Sequence, residues 1–431
     1  MKRRDLLKAA LVAPVGLMVA GRPAAAATVS AGMPADTVAG VAADVVARGQ
    51  VPSALVPFDR LMKDYMAKRG ITAGQLAIAR KGKLVFARAY TVSTPEKPVP
   101  AVTPTSLFRI ASLSKHVTAT AVLRLAQEGR LNLGDPVTKW LSLVPMPGKT
   151  ADPRLSRVTL WRLLQHTGGW DRDISGDPCA DEHAIATALG RPLPISHTDL
   201  FEYVTGRRLD WDPGTRMAYS NYGYMLLGRV IEKVTGQSYE SYVTNTLLTP
   251  LGISRMRIGP SLQTAGEVPY ESRYTTRTVL DNSGQTMSFP YGGFNMANRD
   301  ASGGWVAAAV DLVRFERIFD LPTTANLLNS TSIGRAFAKP EIGVSDGGSW
   351  YGAGWYVREK NGGLNTWHNG SMAGTYTYLV RRYDGVTYAA LFNRRKEDDG
   401  ALTDGEIDPL LYNAADAVTT WPSVDYGSLY F

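Results

Sequence analysis

Strand-like hydrophobic patterns occur near both ends of this chain, and helical patterns fill the long stretch between them. Near the start, Gln75–Ala79 and Leu84–Tyr90 read as strands joined by Lys81-Gly82, a hairpin signal. Four further strand-like runs follow near the end, at residues 356–360, 364–368, 375–382 and 386–393. Because strands need partners, this arrangement predicts an α+β fold with one antiparallel sheet built from both terminal segments and an inserted helical subdomain.

The helical subdomain is predicted to occupy roughly residues 113–330. It contains helical patterns at residues 158–165, 222–234, 239–247 and 311–319, the last with Asp311 as its N-cap. The polar stretch 260–304 is long for a connection in a compact protein, and such stretches are typically lids or substrate walls. We interpret residues 28–54 as an N-terminal extension and residues 401–431 as a C-terminal helix and tail.

The first 27 residues have the pattern of an export signal. Lys2-Arg3-Arg4 precedes an apolar run from Ala9 to Gly21, and Ala24–Ala27 supplies small residues for cleavage. The adjacent arginines resemble a bacterial twin-arginine signal, which predicts a periplasmic or extracellular protein. The apolar run is short for a membrane span, so an uncleaved anchor is the less favoured alternative.

The charge balance argues against a nucleic-acid partner. Removal of residues 1–27 takes away five basic residues and one acidic residue, so the net charge falls from +8 to +4. The remaining basic residues do not form a cluster with interleaved aromatics, the pattern typical of nucleic-acid binding. The single cysteine, Cys179, cannot form an internal disulfide, so the core must be held by packing alone.

Ser112 and Lys115 form the first chemical motif. They lie three residues apart at the predicted start of an apolar helix that runs to about Gln127, so their side chains share one face. The lysine offers the serine a base or proton shuttle, and free N–H groups at a helix start stabilise an oxyanion. This spacing suits an acyl-serine enzyme, but it also arises by chance in solvated helices and therefore requires partners elsewhere.

Two further segments supply candidate partners. Tyr219 and Asn221 lie in a turn before a predicted helix, where a lysine cation that lowered the tyrosine pKa would let it take the serine proton. The asparagine could hold both the lysine and a substrate amide. Three tripeptides of the form Lys/His-x-Gly begin at His166, Lys360 and His368. The first ends a helix and the second forms a hairpin turn, so we select His368, which lies on a predicted strand.

The three motifs, in this order and at these intervals, resemble those of the class C β-lactamase superfamily. They are Ser112-Leu113-Ser114-Lys115, Tyr219-Ser220-Asn221 and His368-Asn369-Gly370. This superfamily of serine hydrolases includes D-alanyl-D-alanine carboxypeptidases, D-amino-acid peptidases and family VIII carboxylesterases. The similarity covers most of residues 55–400, and it implies a β-lactamase/transpeptidase-like fold for that domain.

The resemblance also implies a role for each residue of the site. Ser112 would be the acylated nucleophile, Lys115 and Tyr219 would share the proton transfers, and Asn221 would orient the lysine and the substrate. Whether the lysine or the tyrosine is the general base is left open.

The strand that carries His368 and Gly370 would line the site, and the backbone N–H groups of Ser112 and Ser371 would form the oxyanion hole. Many β-lactamases of this group have lysine where His368 stands, and a histidine is largely neutral at pH 7. We therefore expect the ring to offer substrates an uncharged donor. Efficient β-lactam hydrolysis is correspondingly less expected than hydrolysis of neutral substrates.

Several aromatic residues are predicted to form a substrate wall that favours a neutral or aromatic acyl group. They are Tyr270, Tyr274, Tyr291, Phe294 and Trp305, with Trp170 as a further candidate.

Two other patterns are interpreted as decoys. Gly343–Gly347 matches the G-x-S-x-G elbow of α/β-hydrolases, but glycine and serine follow where a helix should begin. Cys179, Asp181, Glu182 and His183 are metal-ligand types without a recognised spacing. We therefore predict neither a metal nor a cofactor.

The sequence predicts an exported acyl-serine hydrolase that cleaves ester or amide substrates in the manner of a carboxypeptidase or esterase. The expected partner is a small molecule or a peptide, including cell-wall peptide. A β-lactamase proper is one alternative. A non-catalytic penicillin-binding or peptidoglycan-sensing module is the other, and loss of one motif would have favoured it.

Overall fold

The structure is a computed structural model that describes residues 45–95, 97–320, 325–398, 400 and 402–431. The predicted export signal, residues 1–27, and most of the predicted N-terminal extension lie outside these ranges. Among the residues described, no helix has the length and apolar character needed to cross a membrane.

A single antiparallel sheet joins the two ends of the described chain. The strands, in chain order, are β1 (Val45–Gln50), β2 (Ala73–Arg80), β3 (Lys83–Val92), β4 (Phe108–Arg109), β5 (Arg257–Ile258), β6 (Thr275–Arg277), β7 (Thr286–Ser288), β8 (Trp305–Ala307), β9 (Ser349–Tyr351), β10 (Tyr356–Lys360), β11 (Gly363–Met372), β12 (Thr375–Arg381) and β13 (Val386–Phe392). Eight of them form the main sheet, in the order β1-β3-β2-β13-β12-β11-β10-β9. Because β2 pairs with β13, the N-terminal and C-terminal segments meet at its centre. This confirms the predicted α+β fold.

Helices cover both faces of the sheet. In chain order they are α1 (Val56–Arg69), α2 (Ser114–Gln127), α3 (Leu160–Leu164), α4 (Arg172–Ser175), α5 (Glu182–Leu189), α6 (His197–Thr205), α7 (Asn221–Thr235), α8 (Tyr239–Val243), α9 (Phe289–Gly292), α10 (Asp300–Gly303), α11 (Ala309–Phe315), α12 (Ser330–Ala336) and α13 (Ile407–Asp416). The central strand β2 directs Leu76 and Ile78 into the core under α1 and α13, and Ala73 and Ala77 into the opposite core. The small alanines let α11 pack directly against the strand.

Strand β1 falls within the predicted N-terminal extension and corrects it. It pairs with β3 at the edge of the sheet, and half of its six residues are exposed, so its sequence carries a weak strand signal. Gly49 has φ +107°, and a Cβ there would lie 2.2 Å from the backbone oxygen of Ala87. These residues therefore form a strand because the edge of β3 is available for pairing, and not because of their own strand propensity.

Helix α11 begins earlier than predicted, and Asp311 is not its N-cap. The helix starts at Ala309, and the Asp311 carboxylate accepts a hydrogen bond from the backbone N–H of Ala308 at 3.0 Å. Asp311 thus caps the start of the helix from within the first turn, where its negative charge also interacts favourably with the helix dipole.

The segment before α2 delivers the candidate nucleophile. Strand β4 pairs with β8, and the chain then makes a 3₁₀ turn, Ala111–Leu113, that runs into α2. Ala111 has φ +48°, a left-handed conformation that is unfavourable for a residue other than glycine. Ser112 therefore lies in a strained turn ahead of the helix rather than in its first turn.

Candidate active site

The two helix-start motifs meet at the side-chain nitrogen of Lys115. Its Nζ lies 3.1 Å from Oγ of Ser112 and 2.7 Å from Oδ1 of Asn221, the first residue of α7. The third neighbour is the backbone oxygen of Ser302 in α10, also at 2.7 Å. Residues from three separate segments are thereby brought to one buried point.

Burial favours the neutral form of Lys115. Its pKa lies well below the ordinary lysine value, mainly because burial disfavours the charge and further because the cation of Arg172 is close. The three neighbours would also satisfy an ammonium group, but that charge would be held away from water. In the neutral amine, Asn221 Oδ1 and Ser302 O accept the two N–H groups, since neither can donate. The lone pair then faces the Ser112 hydroxyl, which is the arrangement of a base and its nucleophile.

Tyr219 lies beside this pair and keeps its proton at neutral pH. The Lys115 nitrogen is 4.8 Å from the centre of the tyrosine ring. Burial raises the pKa of Tyr219 above its ordinary value, and the opposing effects of Arg172 and of the nearby Ser112 hydroxyl are smaller. The phenol approaches Ser112 without forming a well-aligned hydrogen bond. The condition under which Tyr219 would take the serine proton, a pKa lowered by a lysine cation, is therefore not met, because burial has the larger effect and raises the pKa.

The amide of Asn221 is oriented by an aspartate that the sequence analysis did not select. Its Nδ2 donates to Oδ2 of Asp177 at 2.6 Å, while the other oxygen of Asp177 accepts from the backbone N–H of Cys179 at 3.1 Å. A carboxylate accepts only, so it must face the NH₂ group and leave Oδ1 for Lys115. One N–H of the Asn221 amide is thus used inside the protein. The sequence offered little sign of this role for Asp177, because an aspartate before a proline usually indicates only a turn.

Strand β11 passes directly against the turn that holds the nucleophile. A Cβ at Gly370 would lie 2.2 Å from the backbone oxygen of Ile110 and 3.1 Å from Cβ of Ala111. His368 is on the same buried face, whereas Ser371 directs its side chain to the other face. Any contribution of Ser371 is therefore that of its backbone N–H, and its oxyanion role stays a prediction.

Replacement of Gly370 by alanine is expected to damage both stability and activity. The added methyl group would meet Ile110 O at 2.2 Å and Thr377 Oγ1 at 2.3 Å, both in the packed sheet. We expect Gly370→Ala to lower the free energy of unfolding by about 2–3 kcal/mol. Displacement of β11 from Ser112 should also lower kcat/KM about tenfold or more. Thermal denaturation and ester hydrolysis measure the two effects.

The matched control is Gly334→Ala in α12, where a Cβ would meet no atom within 4 Å. Alanine in a helix should be neutral there or stabilise by up to about 1 kcal/mol. If the two variants proved equally stable, the close approach of β11 to the nucleophile turn would be contradicted.

His368 is buried, and both of its ring nitrogens are engaged within the protein. Nδ1 lies 2.6 Å from the backbone oxygen of Asn369, and Nε2 lies 3.0 Å from the hydroxyl of Tyr351. Since a carbonyl only accepts, we assign the ring proton to Nδ1, and Nε2 accepts from the tyrosine. Burial is the main cause that lowers the pKa of His368 to about 3, with a smaller contribution from the Arg172 cation, so the ring is neutral. It therefore has no free donor for a substrate, contrary to expectation.

Two further residues that the sequence analysis did not place in the site pack against Tyr219. The ring of His166 lies 4.2 Å from the Tyr219 ring, and its Nδ1 accepts from the backbone N–H of Ser220 at 3.2 Å. The guanidinium carbon of Arg172 lies 4.3 Å from the centre of the Tyr219 ring. His166, set aside because it ends a helix, thus belongs to the support of the site.

Two members of the predicted aromatic wall are structural instead. Trp305 is fully buried in β8, and the hydroxyl of Tyr270 accepts a buried backbone hydrogen bond. Phe294 differs, because it shares a small apolar cluster with Ala111 and Met372 beside the nucleophile turn. Aromatic content alone did not reveal which rings serve the core and which lie near the site.

The decoy serine has a local role. Ser345, within Gly343–Gly347, is exposed in a turn, and its hydroxyl donates to the backbone oxygen of Ser349 at 2.8 Å. Cys179 is buried, and the residues that the structure describes contain no group of three or more His, Cys, Asp or Glu able to hold a metal ion.

Comparison with known proteins identifies the family. The protein-family model described as Beta-lactamase matches residues 58–411, a range that contains all three motifs and the sheet strands from β2 to β13. The chain belongs to the β-lactamase family. Membership confirms both the predicted superfamily and the β-lactamase/transpeptidase-like fold.

Relatives of this β-lactamase family member include penicillin-binding proteins. Penicillin-binding protein 4 of Amycolatopsis lactamdurans is 29% identical over 309 residues, which cover 68% of this chain and 74% of the relative. Protein flp of Staphylococcus aureus (strain NCTC 8325 / PS 47) is 34% identical over 193 residues, or 45% of this chain and 36% of the relative. The match thus spans about a third of the length of flp.

Solved structures show the same fold. D-amino acid amidase from Ochrobactrum anthropi SV3, complexed with D-phenylalanine, has a TM-score of 0.64 at 20% identity, covering 85% of this chain and 99% of the amidase. The octameric penicillin-binding protein homologue from Pyrococcus abyssi has a TM-score of 0.59 at 25% identity, covering 78% and 72%. The likeness to the amidase, at this identity, is one of fold alone.

Proposed function

We propose that this β-lactamase family hydrolase cleaves amides or esters of small acids and peptides through an acyl-enzyme on Ser112. One observation carries the proposal, the surroundings of Lys115. Burial favours its neutral amine, whose two N–H groups donate to Asn221 Oδ1 and Ser302 O, and the Ser112 hydroxyl lies 3.1 Å from its nitrogen. Such a pair generates a nucleophile without a metal or a histidine.

Lys115 is the proposed general base, and Tyr219 the proposed acid. Lys115 takes the Ser112 proton as Oγ attacks the carbonyl carbon, and the oxyanion is held by the backbone N–H groups of Ser112 and Ser371. Tyr219, which keeps its proton at neutral pH, donates it to the departing amine or alcohol and regains one from the Lys115 ammonium. Lys115 then takes a proton from the water that attacks the acyl-enzyme, and Tyr219 donates its proton to Ser112 Oγ as the acyl–oxygen bond breaks and the acid leaves. Tyr219 regains a proton from the Lys115 ammonium.

The substrate class rests on two kinds of support. The relatives include penicillin-binding proteins, and a D-amino acid amidase shares the fold. Export by the signal predicted at residues 1–27 would bring the site to cell-wall peptides. A non-catalytic sensing module is less favoured, because none of the three motifs is lost and Ser112, Lys115 and Asn221 are in contact.

A substrate panel tests the proposal. It contains short p-nitrophenyl esters, N-acyl-D-alanyl-D-alanine, D-amino-acid amides and the β-lactam nitrocefin. We expect at least one ester or acyclic amide to be turned over faster than nitrocefin. If deacylation is the slow step, the first turnover should release the leaving group in an initial burst. Turnover of nitrocefin above every ester and amide would instead favour a β-lactamase proper. Failure to acylate with any of them would favour the sensing module.

The residue at position 368 should influence β-lactam reactivity. A lysine there would supply a cation that the neutral His368 ring does not, and the carboxylate of a β-lactam is attracted to it. We expect His368→Lys to raise the rate of nitrocefin acylation about tenfold, with some loss of thermal stability because Lys115 and Arg172 are already close.

His368→Gln is the neutral control, because it removes the ring without adding charge. Nitrocefin acylation is followed by stopped-flow absorbance in both variants. If the glutamine variant gained as much as the lysine variant, or if neither gained, charge at this position would not be what limits β-lactam acylation.

A further inference from the structure

Arg172 carries a positive charge at the site that nothing in the described residues neutralises. It is the first residue of the short helix α4, and its side chain is partly exposed. Its guanidinium stacks on Tyr219 at 4.3 Å from the ring centre. Within the described ranges it makes no ion pair, and its Nε is buried without a hydrogen-bond partner.

The neighbouring carboxylates are committed to other donors. Asp171 accepts from the backbone N–H of Asp173 and from Nε1 of Trp211, each at 2.9 Å. Asp177 accepts from Asn221 at 2.6 Å and from a backbone N–H at 3.1 Å. Both oxygens of each carboxylate therefore already accept hydrogen bonds from other groups, and neither forms an ion pair with Arg172.

The charge acts on the reacting groups themselves. The Arg172 charge contributes to the lowered pKa values of Lys115 and His368. It also opposes the rise that burial causes in the pKa of Tyr219. With Lys115 disposed to be neutral and His368 neutral, Arg172 is the fixed cation beside Tyr219. The expectation of a site suited to neutral substrates rested on His368 and on the aromatic wall, and it did not include Arg172.

We propose that Arg172 binds a carboxylate carried by the leaving group of the substrate. The guanidinium stacks on Tyr219, the proposed proton donor to that leaving group, so it stands next to the departing amine. Its remaining N–H groups are arranged as a fork that matches a carboxylate. The inference rests on the proposed function and deepens it, because it selects peptides that end in a free carboxylate, such as acyl-D-alanyl-D-alanine.

A matched substrate pair tests the inference. N-acyl-D-alanyl-D-alanine and its C-terminal carboxamide differ only in the charge at the proposed contact. We expect the unaltered enzyme to prefer the carboxylate about tenfold or more in kcat/KM. Arg172→Gln should remove most of that preference, and Arg172→Lys should retain part of it, because the lysine keeps the charge without the fork.

The control is Arg216→Gln. Arg216 stacks on the Trp211 ring at 4.4 Å, nearly the geometry of Arg172, but it is exposed and is not among the charges that shift Lys115 or Tyr219. Its removal should leave the carboxylate preference unchanged. Equal loss of preference in both arginine variants would indicate a general charge effect and would overturn the inference.

Binding to Ser112→Ala protein, measured by calorimetry, separates the two proposals. Arg172-dependent binding of the carboxylate peptide, with no turnover by the unaltered enzyme, would refute the proposed function and still support the carboxylate site. Turnover and binding that do not distinguish the carboxylate from its amide would overturn the carboxylate site and leave the hydrolase in place. Preference that survives Arg172→Gln would also overturn it.

Discussion

Ser112→Ala should abolish covalent labelling of this protein and lower its turnover about 10³-fold or more. Oγ of Ser112 is the atom that faces the Lys115 nitrogen at 3.1 Å, in a turn whose first residue, Ala111, has a left-handed backbone conformation. Removal of one oxygen deletes the proposed nucleophile and creates almost no cavity, so the fold should persist. Intact-mass measurement after treatment with a fluorophosphonate or a fluorescent penicillin detects the adduct directly.

Ser345→Ala is the control for this experiment. Ser345 occupies the only other pattern that the sequence analysis weighed as a nucleophile motif, but its hydroxyl serves an exposed turn. Labelling and turnover should therefore match the unaltered protein. An adduct of the expected mass on the Ser112→Ala protein would remove the central proposal.

Replacement of Lys115 or Tyr219 should have the second large effect. Lys115→Met removes the proposed base, and Tyr219→Phe removes the proposed acid while the ring that packs on His166 and Arg172 is kept. Each change alone should lower kcat about 10³-fold, and the double variant should be little worse, because the two groups serve one coupled proton transfer. Single-turnover kinetics with an acyclic amide, whose amine must be protonated to leave, measure all three. Losses that multiply would show that the groups act independently.

The pH dependence follows from the buried lysine. A base must be unprotonated, so kcat/KM should rise with pH through the Lys115 pKa and level off above it. Because that pKa lies well below the ordinary lysine value, the rising limb should lie at lower pH than an ordinary lysine would give. Arg172→Gln removes a cation that lowers the pKa, so the rising limb should move to higher pH. A rising limb that moved to lower pH in Arg172→Gln would contradict the proposal that the Arg172 cation lowers the Lys115 pKa.

The chemical motifs could be found in the sequence because their chemistry depends on short spacing. Ser112 and Lys115 are one helical turn apart, and Tyr219 and Asn221 flank a helix start, so local geometry alone places each pair together. The order of strand-like and helical patterns likewise predicted the α+β fold, since strands at both termini must pair with each other.

The parts that failed depend on contacts between distant segments. Strand β1 exists because β3 leaves an edge open, and Trp305 is a core residue because β8 runs between β4 and β5. Sequence patterns report which side chains are apolar, but packing decides which apolar surface meets a substrate and which meets another element.

The sequence by itself therefore determined the family and the fold class, and it supplied the candidates for the proposed nucleophile and its proton carriers. Only the tertiary structure decided the charge state of that machinery. Whether Lys115 is a base or a cation, whether His368 can donate, and whether Arg172 stands free over Tyr219 are set by burial and by partners far apart in the chain. Desolvation and hydrogen bonding act through space, and no spacing along the chain encodes them.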